Sequence, residues 1–395
     1  MKKKTVIPIG PYHPLLEEPE FFILYVDGET VVDMDVRIGY NHRAIEKIVE
    51  SKTWDQDTFV VERICGICST SHPFAYVQAV EDVAGIEAPP RAQYIRTIIA
   101  EIERIHSHLL WVGLAGHFIG YNTVFMWAWK CREITLDISE KLTGNRNHYA
   151  MFKPGGVRRD FNDEQIEYAL KRIDEVWKPN ELITNAILDD PVMHARLKGV
   201  GVLSTEDAIA YSVVGPTARG SNLDWDVRRD HPYGAYDKVK WDVCVQPDGD
   251  VFSKAVVRLL ENFESVKIIR QCLENLPDGP IDAELSEVPP GEGIGVHEAP
   301  RGEVFHYVRS DGSNMPYRHK VRAPTFMNLP SFKASCIGEE IADVALITAS
   351  IDPCYCCTER VGVVDKSGNR STLKEADLIK LSQEKTELIR KKLGK

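Results

Sequence analysis

The spacing of apolar positions changes several times along the chain, and the changes outline its elements. Residues 21–26 and 30–38 are rich in β-branched and aromatic side chains and flank Asp27-Gly28. That pair suits the left-handed conformations of a tight hairpin turn, so two paired strands are expected over about 21–39. After Tyr40 the period becomes helical. Residues 43–49 and 74–83 predict short helices, and 91–110 a long one, with Ile95, Ile98, Ile99, Ile102, Ile105 and Leu109 three or four positions apart. Residues 109–129 carry only His117 as a group that charges near neutral pH, and they are long enough to span a bilayer. Against a span, Gly113, Gly116, Gly120, Tyr121, Asn122 and Thr123 interrupt the run, which continues directly from a charged amphipathic stretch. It reads as a buried core helix broken near Gly120.

Further helices are expected at 163–177 and 252–276, with irregular, Gly/Pro-punctuated chain over 199–220 and 222–236. The stretch 277–295 is rich in Pro and Gly and reads as a connection. Beyond it, 304–309 and 318–323 flank Asp311-Gly312 and predict a second small β region, about 302–323, followed by a helix at 339–347. Residues 361–395 differ in composition: they are charged, and Thr372-Leu373-Lys374-Glu375 is a helix start of capping-box type. Leu373, Ala376, Leu378, Ile379 and Leu381 would lie on one stripe of that helix. The expected fold is mainly α with small β elements. It comprises one domain over 1–360, with its helical core at about 42–276, and a charged tail over 361–395.

Composition narrows the chemistry. A net charge of −11 offers no electrostatic footprint for nucleic acid. The basic start at Lys2 to Lys4 is followed by Pro8, Gly10 and Pro11 rather than an apolar core, so no export signal is expected. Nine cysteines without such a signal point to a reducing compartment, the cytoplasm, where thiols serve metals or catalysis instead of disulfides.

Four of those thiols form two Cys-x-x-Cys pairs, Cys65/Cys68 and Cys354/Cys357. The spacing suits a common metal, because a tight turn brings residues i and i+3 to one side. Four soft thiolates select zinc, an iron–sulfur cluster, or nickel and copper, and spacing alone leaves these open. The surroundings favour a catalytic metal: both pairs lie in apolar, Pro-marked chain at opposite ends of the sequence, which makes a fold-wide junction rather than a local staple. Cys131, Cys244, Cys272 and Cys336 read as small buried hydrophobes. Cys356 lies inside the second pair, but three thiolates from so short a turn would be strained, so it is not expected in the ligand set.

The words around the pairs are informative. Glu62-Arg63-Ile64-Cys65-Gly66-Ile67-Cys68, with His72 following, resembles the N-terminal metal motif of nickel–iron hydrogenase large subunits. Asp352-Pro353-Cys354-Tyr355-Cys356-Cys357-Thr358-Glu359-Arg360 resembles their C-terminal motif, in the form seen in the membrane-bound, energy-converting group. Gly10-Pro11-Tyr12-His13-Pro14 with Glu17-Glu18-Pro19-Glu20 is similar to that group's opening. Further similar segments are Arg104 to Leu109, Pro154 to Arg158, Ala218 to Tyr233, Glu298 to Gly302 and Arg322 to Thr325. The first three of these are also similar to the quinone-site 49 kDa subunit of respiratory complex I, which lacks the four thiolates.

The resemblance implies the hydrogenase large-subunit fold and a nickel ion held by Cys65, Cys68, Cys354 and Cys357. Cys68 and Cys357 would bridge to an iron carrying carbon monoxide and cyanide. It implies reversible reduction of protons to hydrogen, with Glu18 relaying protons and Arg301 over the metals. Asp352 would hold that arginine, and His72 would donate to a cysteine sulfur. The implied partners are a small subunit with an iron–sulfur cluster, membrane-embedded antiporter-like subunits, and ferredoxin or a linked oxidoreductase as electron donor, with the chain peripheral on the cytoplasmic side of the membrane. Family members of this group are often trimmed after the C-terminal motif, which makes residues 361–395 a candidate maturation extension. Two alternatives stand beside this: a nickel-free relative in a ferredoxin-oxidising or sulfur-reducing ion pump, and a structural subunit with a four-cysteine zinc site.

Overall fold

The computed structural model describes residues 5–13, 16, 18–358, 363–364, 367–371 and 375–394. At its centre is the helix Pro90–Phe118, in which every residue from Ile95 to Gly113 is buried. A helix buried on all sides needs neighbours on all sides. The helices Asn122–Thr143 and Val251–Glu274 both pack along it, and Asp163–Leu188 packs against those two. The break between the first pair falls at residues 119–121, where Gly120 takes φ 82°, at the place the glycine pattern predicts. Charges carried into this core are paired: Arg96 donates to Glu81 Oε1 at 2.6 Å and to Oε2 at 3.1 Å. The chain is mainly helical with small sheets, as expected. Among the described residues no helix is long and apolar enough to cross a membrane.

Two three-stranded antiparallel sheets flank the helices. The first runs β1 (Thr5–Ile9), β2 (Phe21–Asp27), β3 (Thr30–Arg37), so the expected hairpin gains a strand on its outer edge. The second runs β4 (Gly291–Ala299), β5 (Gly302–Ser310), β6 (Arg318–Arg322). Here the sequence reading misses β4, which lies partly in the stretch taken as a connection. The reason is physical. A Cβ at Gly293 would sit 2.2 Å from the Ala79 carbonyl oxygen, and one at Gly295 1.9 Å from that of Ala75. Bare backbone lets the strand lie directly on the helix Ser71–Ala84, so the residues that weaken strand propensity are those that make the contact possible.

The helix Trp54–Glu62 is also unanticipated, although Thr53 and Gln56 close a capping box at its start. The tail helix runs Glu375–Lys392, and Leu378, Ile379 and Leu381 are each about half exposed. Among the described residues, its apolar stripe is therefore uncovered. Glu359, Arg360 and Thr372 to Lys374 lie outside the described residues.

Candidate metal centre

The first cysteine pair occupies the turn between the helices Trp54–Glu62 and Ser71–Ala84. The second helix receives no cap from its own Thr70. Instead Glu103, on the central helix, accepts from the Thr70 N–H at 2.5 Å, the Ser71 N–H at 3.2 Å and Ser71 Oγ at 2.6 Å. The orphan donors of the helix start are thus met by a buried carboxyl, which pins the turn to the core. Burial pushes that carboxyl's pKa up to about 7. The second pair follows the helix Ile341–Ser350. There Asp352 turns the chain in the left-handed region at φ 55°, which Asp tolerates better than most residues. The Cys354 N–H donates to Thr325 Oγ1 at 3.1 Å.

The sulfurs converge. Cys354 Sγ is 3.1 Å from Cys65 Sγ and 2.7 Å from Cys357 Sγ. Cys356 Sγ is 3.4 Å from Cys354 Sγ, and the sulfurs of Cys65, Cys354, Cys356 and Cys357 all lie within 4.8 Å of one another. The turn therefore brings three sulfurs together, which the pair spacing alone does not anticipate. Residues 355–357 wind as a single 3-10 turn, which eclipses i and i+3 and leaves Cys356 beside them, half-buried. Cys68 is set slightly apart from that tightest group, with its sulfur 3.4 Å from Arg301 Nη1.

Thiols this crowded cannot all ionise together. Hydrogen bonds from Cys354, then Cys356, Cys357 and Cys68, hold Cys65 well below the ordinary thiol range. Burial pushes Cys354 and Cys357 well above it. A soft cation is the partner that would let the rest ionise, so the donor set fits a late transition metal. A small space of about 10 Å³ lies among Cys68, His72, Arg301, Cys354 and Cys357, about the room of one water-sized group.

Charged groups frame the sulfurs. Arg301 Nε donates to the Asp352 carbonyl oxygen at 2.8 Å and Nη2 to Asp352 Oδ1 at 2.6 Å. Its Nη1 donates to Ser107 Oγ at 3.0 Å and faces Cys68 Sγ, so the whole planar fork is engaged. Glu18 accepts from the Cys356 N–H at 2.7 Å and from the Cys356 thiol at 2.9 Å. Burial, with the nearby Cys65 charge, raises the Glu18 pKa. His72 Nε2 lies 3.4 Å from Cys357 Sγ. His106 and His108 do not touch the sulfurs: His106 Nδ1 accepts from Arg132, and His108 Nε2 bonds Glu261 at 2.8 Å.

Sequence reasoning passed over several contributors. Arg43 donates to the carbonyl oxygens of Arg63, Ile64 and Cys356 at 2.8, 2.7 and 3.3 Å, lacing the two cysteine segments together. Ser107 and Thr325 lay in segments noted only for resemblance. Arg43, Cys356 and Cys357 line an open cavity of about 180 Å³ that brings solvent to one side of the cluster.

The chain matches the family described as "Respiratory-chain NADH dehydrogenase, 49 Kd subunit" over residues 119–288 and 283–360, and "Nickel-dependent hydrogenase" over 43–114. It is 44% identical to the membrane-bound hydrogenase subunit alpha of Pyrococcus furiosus, over 97% of this chain and 93% of that one. It is 40% identical to the carbon monoxide-induced hydrogenase of Rhodospirillum rubrum, over 90% and 99%. Among solved structures it is similar to a chain of the membrane-bound sulfane sulfur reductase, an archaeal respiratory membrane complex. The TM-score is 0.86 and the identity 30%, over 91% of this chain and 99% of that one. Matches of this identity and extent mean that the chain belongs to the family uniting the large subunits of membrane-bound nickel–iron hydrogenases with the 49 kDa subunit of respiratory NADH dehydrogenase.

Proposed function

We propose that this chain is the hydrogen-producing subunit of a membrane-bound, energy-converting hydrogenase, working on the cytoplasmic side of the membrane. Cys65, Cys68, Cys354 and Cys357 would hold a nickel–iron centre whose iron carries carbonyl and cyanide. When bound, that centre supplies the reversible conversion of two protons and two electrons to hydrogen. The observation carrying this reading is the buried gathering of thiols from both ends of the sequence, with Arg301 and Glu18 against it. Glu18 sets a carboxyl beside the cluster, and burial raises its affinity for a proton. Arg301, oriented by Asp352 and Ser107, presents a fixed cation to the Cys68 side. Among the described residues no second cysteine cluster exists to carry electrons away. They would pass through the iron–sulfur cluster of a small subunit docked near Cys68 and Cys357, from ferredoxin or a linked oxidoreductase. The N-terminal hairpin and residues 154–158 would face antiporter-like membrane subunits. Residues 361–395 would be a maturation extension.

Glu18→Gln keeps shape but holds no transferable proton, so nickel content should survive while hydrogen turnover collapses. Unchanged turnover removes Glu18 from proton delivery. The identity of the centre is tested by elemental analysis with infrared spectroscopy. Nickel together with carbonyl and cyanide stretches is the expected result. A second reading, a nickel-free oxidoreductase subunit, is favoured by the backbone likeness to the sulfane sulfur reductase chain. Nickel-free protein from an active complex would select it, and zinc alone would make the cluster structural.

A further inference from the structure

His72 is the first of three imidazoles in a line. Its Nδ1 lies 3.0 Å from His306 Nε2, and His306 Nδ1 lies 2.9 Å from His319 Nε2. All three rings are buried, and His319 Nδ1 ends the line without a partner. The fold builds this alignment. His306 on β5 pairs with Val321 on β6, which puts His319 two residues away on the same sheet face. On the other side His306 pairs with Gly295, whose missing side chain lets the helix bearing His72 approach that face. Tyr76, from the same helix, sets its ring edge-on to His319 at 5.4 Å and closes the space.

A neutral imidazole has one N–H and one lone pair. Rings linked through both nitrogens can therefore be ordered in only two ways, all in one direction or all in the other. Burial, with His319 and His72 as neighbours, holds His306 far below its ordinary range, and burial brings His319 to about 4. Near neutral pH neither ring is doubly protonated. A metal-bound thiolate can only accept, so His72 must donate to it from Nε2. That choice propagates: His306 Nε2–H points to His72 Nδ1, and His319 Nε2–H to His306 Nδ1. The unpartnered atom at the far end is then a lone pair, which burial tolerates better than a bare N–H.

We propose that His306 and His319 are positioning residues for the cysteine cluster, holding His72 as the Nε2–H tautomer that donates to the Cys357 sulfur. This rests on the reading above, in which Cys357 is bound as a thiolate. Outer partners of metal ligands affect metal affinity or activity by about 10–100-fold.

The test uses the assembled complex with His306→Leu, which breaks the line, and His306→Gln, whose amide keeps one donor and one acceptor. Nickel per chain should fall about 10-fold or more in His306→Leu, with shifted carbonyl and cyanide bands. His306→Gln should resemble the parent in both. Nitrogen-15 spectra of histidine-labelled parent should show Nε2–H at His72, His306 and His319. A Leu variant equal to the parent, or a Gln variant no better than Leu, overturns the proposal. If the parent itself holds neither nickel nor diatomic bands, the hydrogenase reading fails. The nitrogen spectra still decide the present inference: three Nε2–H tautomers uphold it, and Nδ1–H at any of the three overturns it.

Discussion

Two of the buried polar regions of this molecule handle charge in opposite ways. Around the middle of the central helix, Arg104, Arg219 and Arg228 meet Glu101, Asp226, Glu261 and Glu298. Arg228 lies 2.7 Å from Asp226 and 3.2 Å from Glu101, and Arg219 lies 2.8 Å from Glu261 and 2.9 Å from Glu298. Arg104 reaches Glu101 at 3.2 Å. Four carboxyls for three guanidiniums leave one negative charge too many, and burial answers by pushing Glu298 up to about 7. This group supplies its own partners. The cysteine cluster does not: its sulfurs face chiefly one another, and only a cation from outside the chain would let them all ionise. Burial of polar groups is common to both. Unspent ligand capacity separates a site from a structural network.

That contrast can be broken in graded steps. Cys65→Ser should have the largest effect, abolishing hydrogen evolution and nickel binding while leaving the fold's far-ultraviolet spectrum unchanged. A nickel-replete, active Ser variant would remove Cys65 from the ligand set. Arg219→Met should do the reverse. It takes from Glu261 and Glu298 their nearest guanidinium and costs about 3–5 kcal/mol in denaturant unfolding, whereas nickel per folded chain stays at the parent level. Arg301→Lys tests the border between the regions: a point charge cannot hold Asp352, Ser107 and Cys68 together, so turnover should fall about 10–100-fold with metal retained.

The smallest effect concerns a single proton. Because Glu298 has a raised pKa when folded, its contribution is full below its unfolded pKa of about 4.3 and lost as pH rises to about 7. Glu298→Gln lacks that slope, so its unfolding midpoint should gain on the parent's between those pH values. Parallel curves would show that the surplus charge is settled elsewhere.

The same division governs what the sequence reveals. Helix 91–110 is readable because a 3.6-residue period repeats within one segment, and four of the gathered thiols are visible as two local pairs. Cys356 is hidden because its place depends on a 3-10 turn that pair spacing does not specify. Strand β4 is hidden because its glycines serve a neighbour rather than the strand itself. Arg43, Ser107, His306 and His319 carry no local mark at all. Most of them act on something distant in sequence: Arg43 reaches a carbonyl 313 residues away, Arg301 reaches Ser107 across 194, and His306 reaches His72 across 234. Periodicity reports on which side of an element is buried, and it is silent about which buried groups meet.

The separation between the two cysteine segments also has a meaning in time. Cys65 and Cys354 stand 289 residues apart. A ribosome adding about 5–20 residues per second finishes the first about 15–60 s before the second. Through that interval Cys65 and Cys68 are a bare dithiol with nothing to share. A cation captured then would have half a cage and would leave readily; one captured after Cys354 arrives would close a loop of nearly three hundred residues. The loop-closure relation puts that restraint on the unfolded chain at about 5–6 kcal/mol. Such a clasp would tighten only when the long middle of the chain is already present to be held.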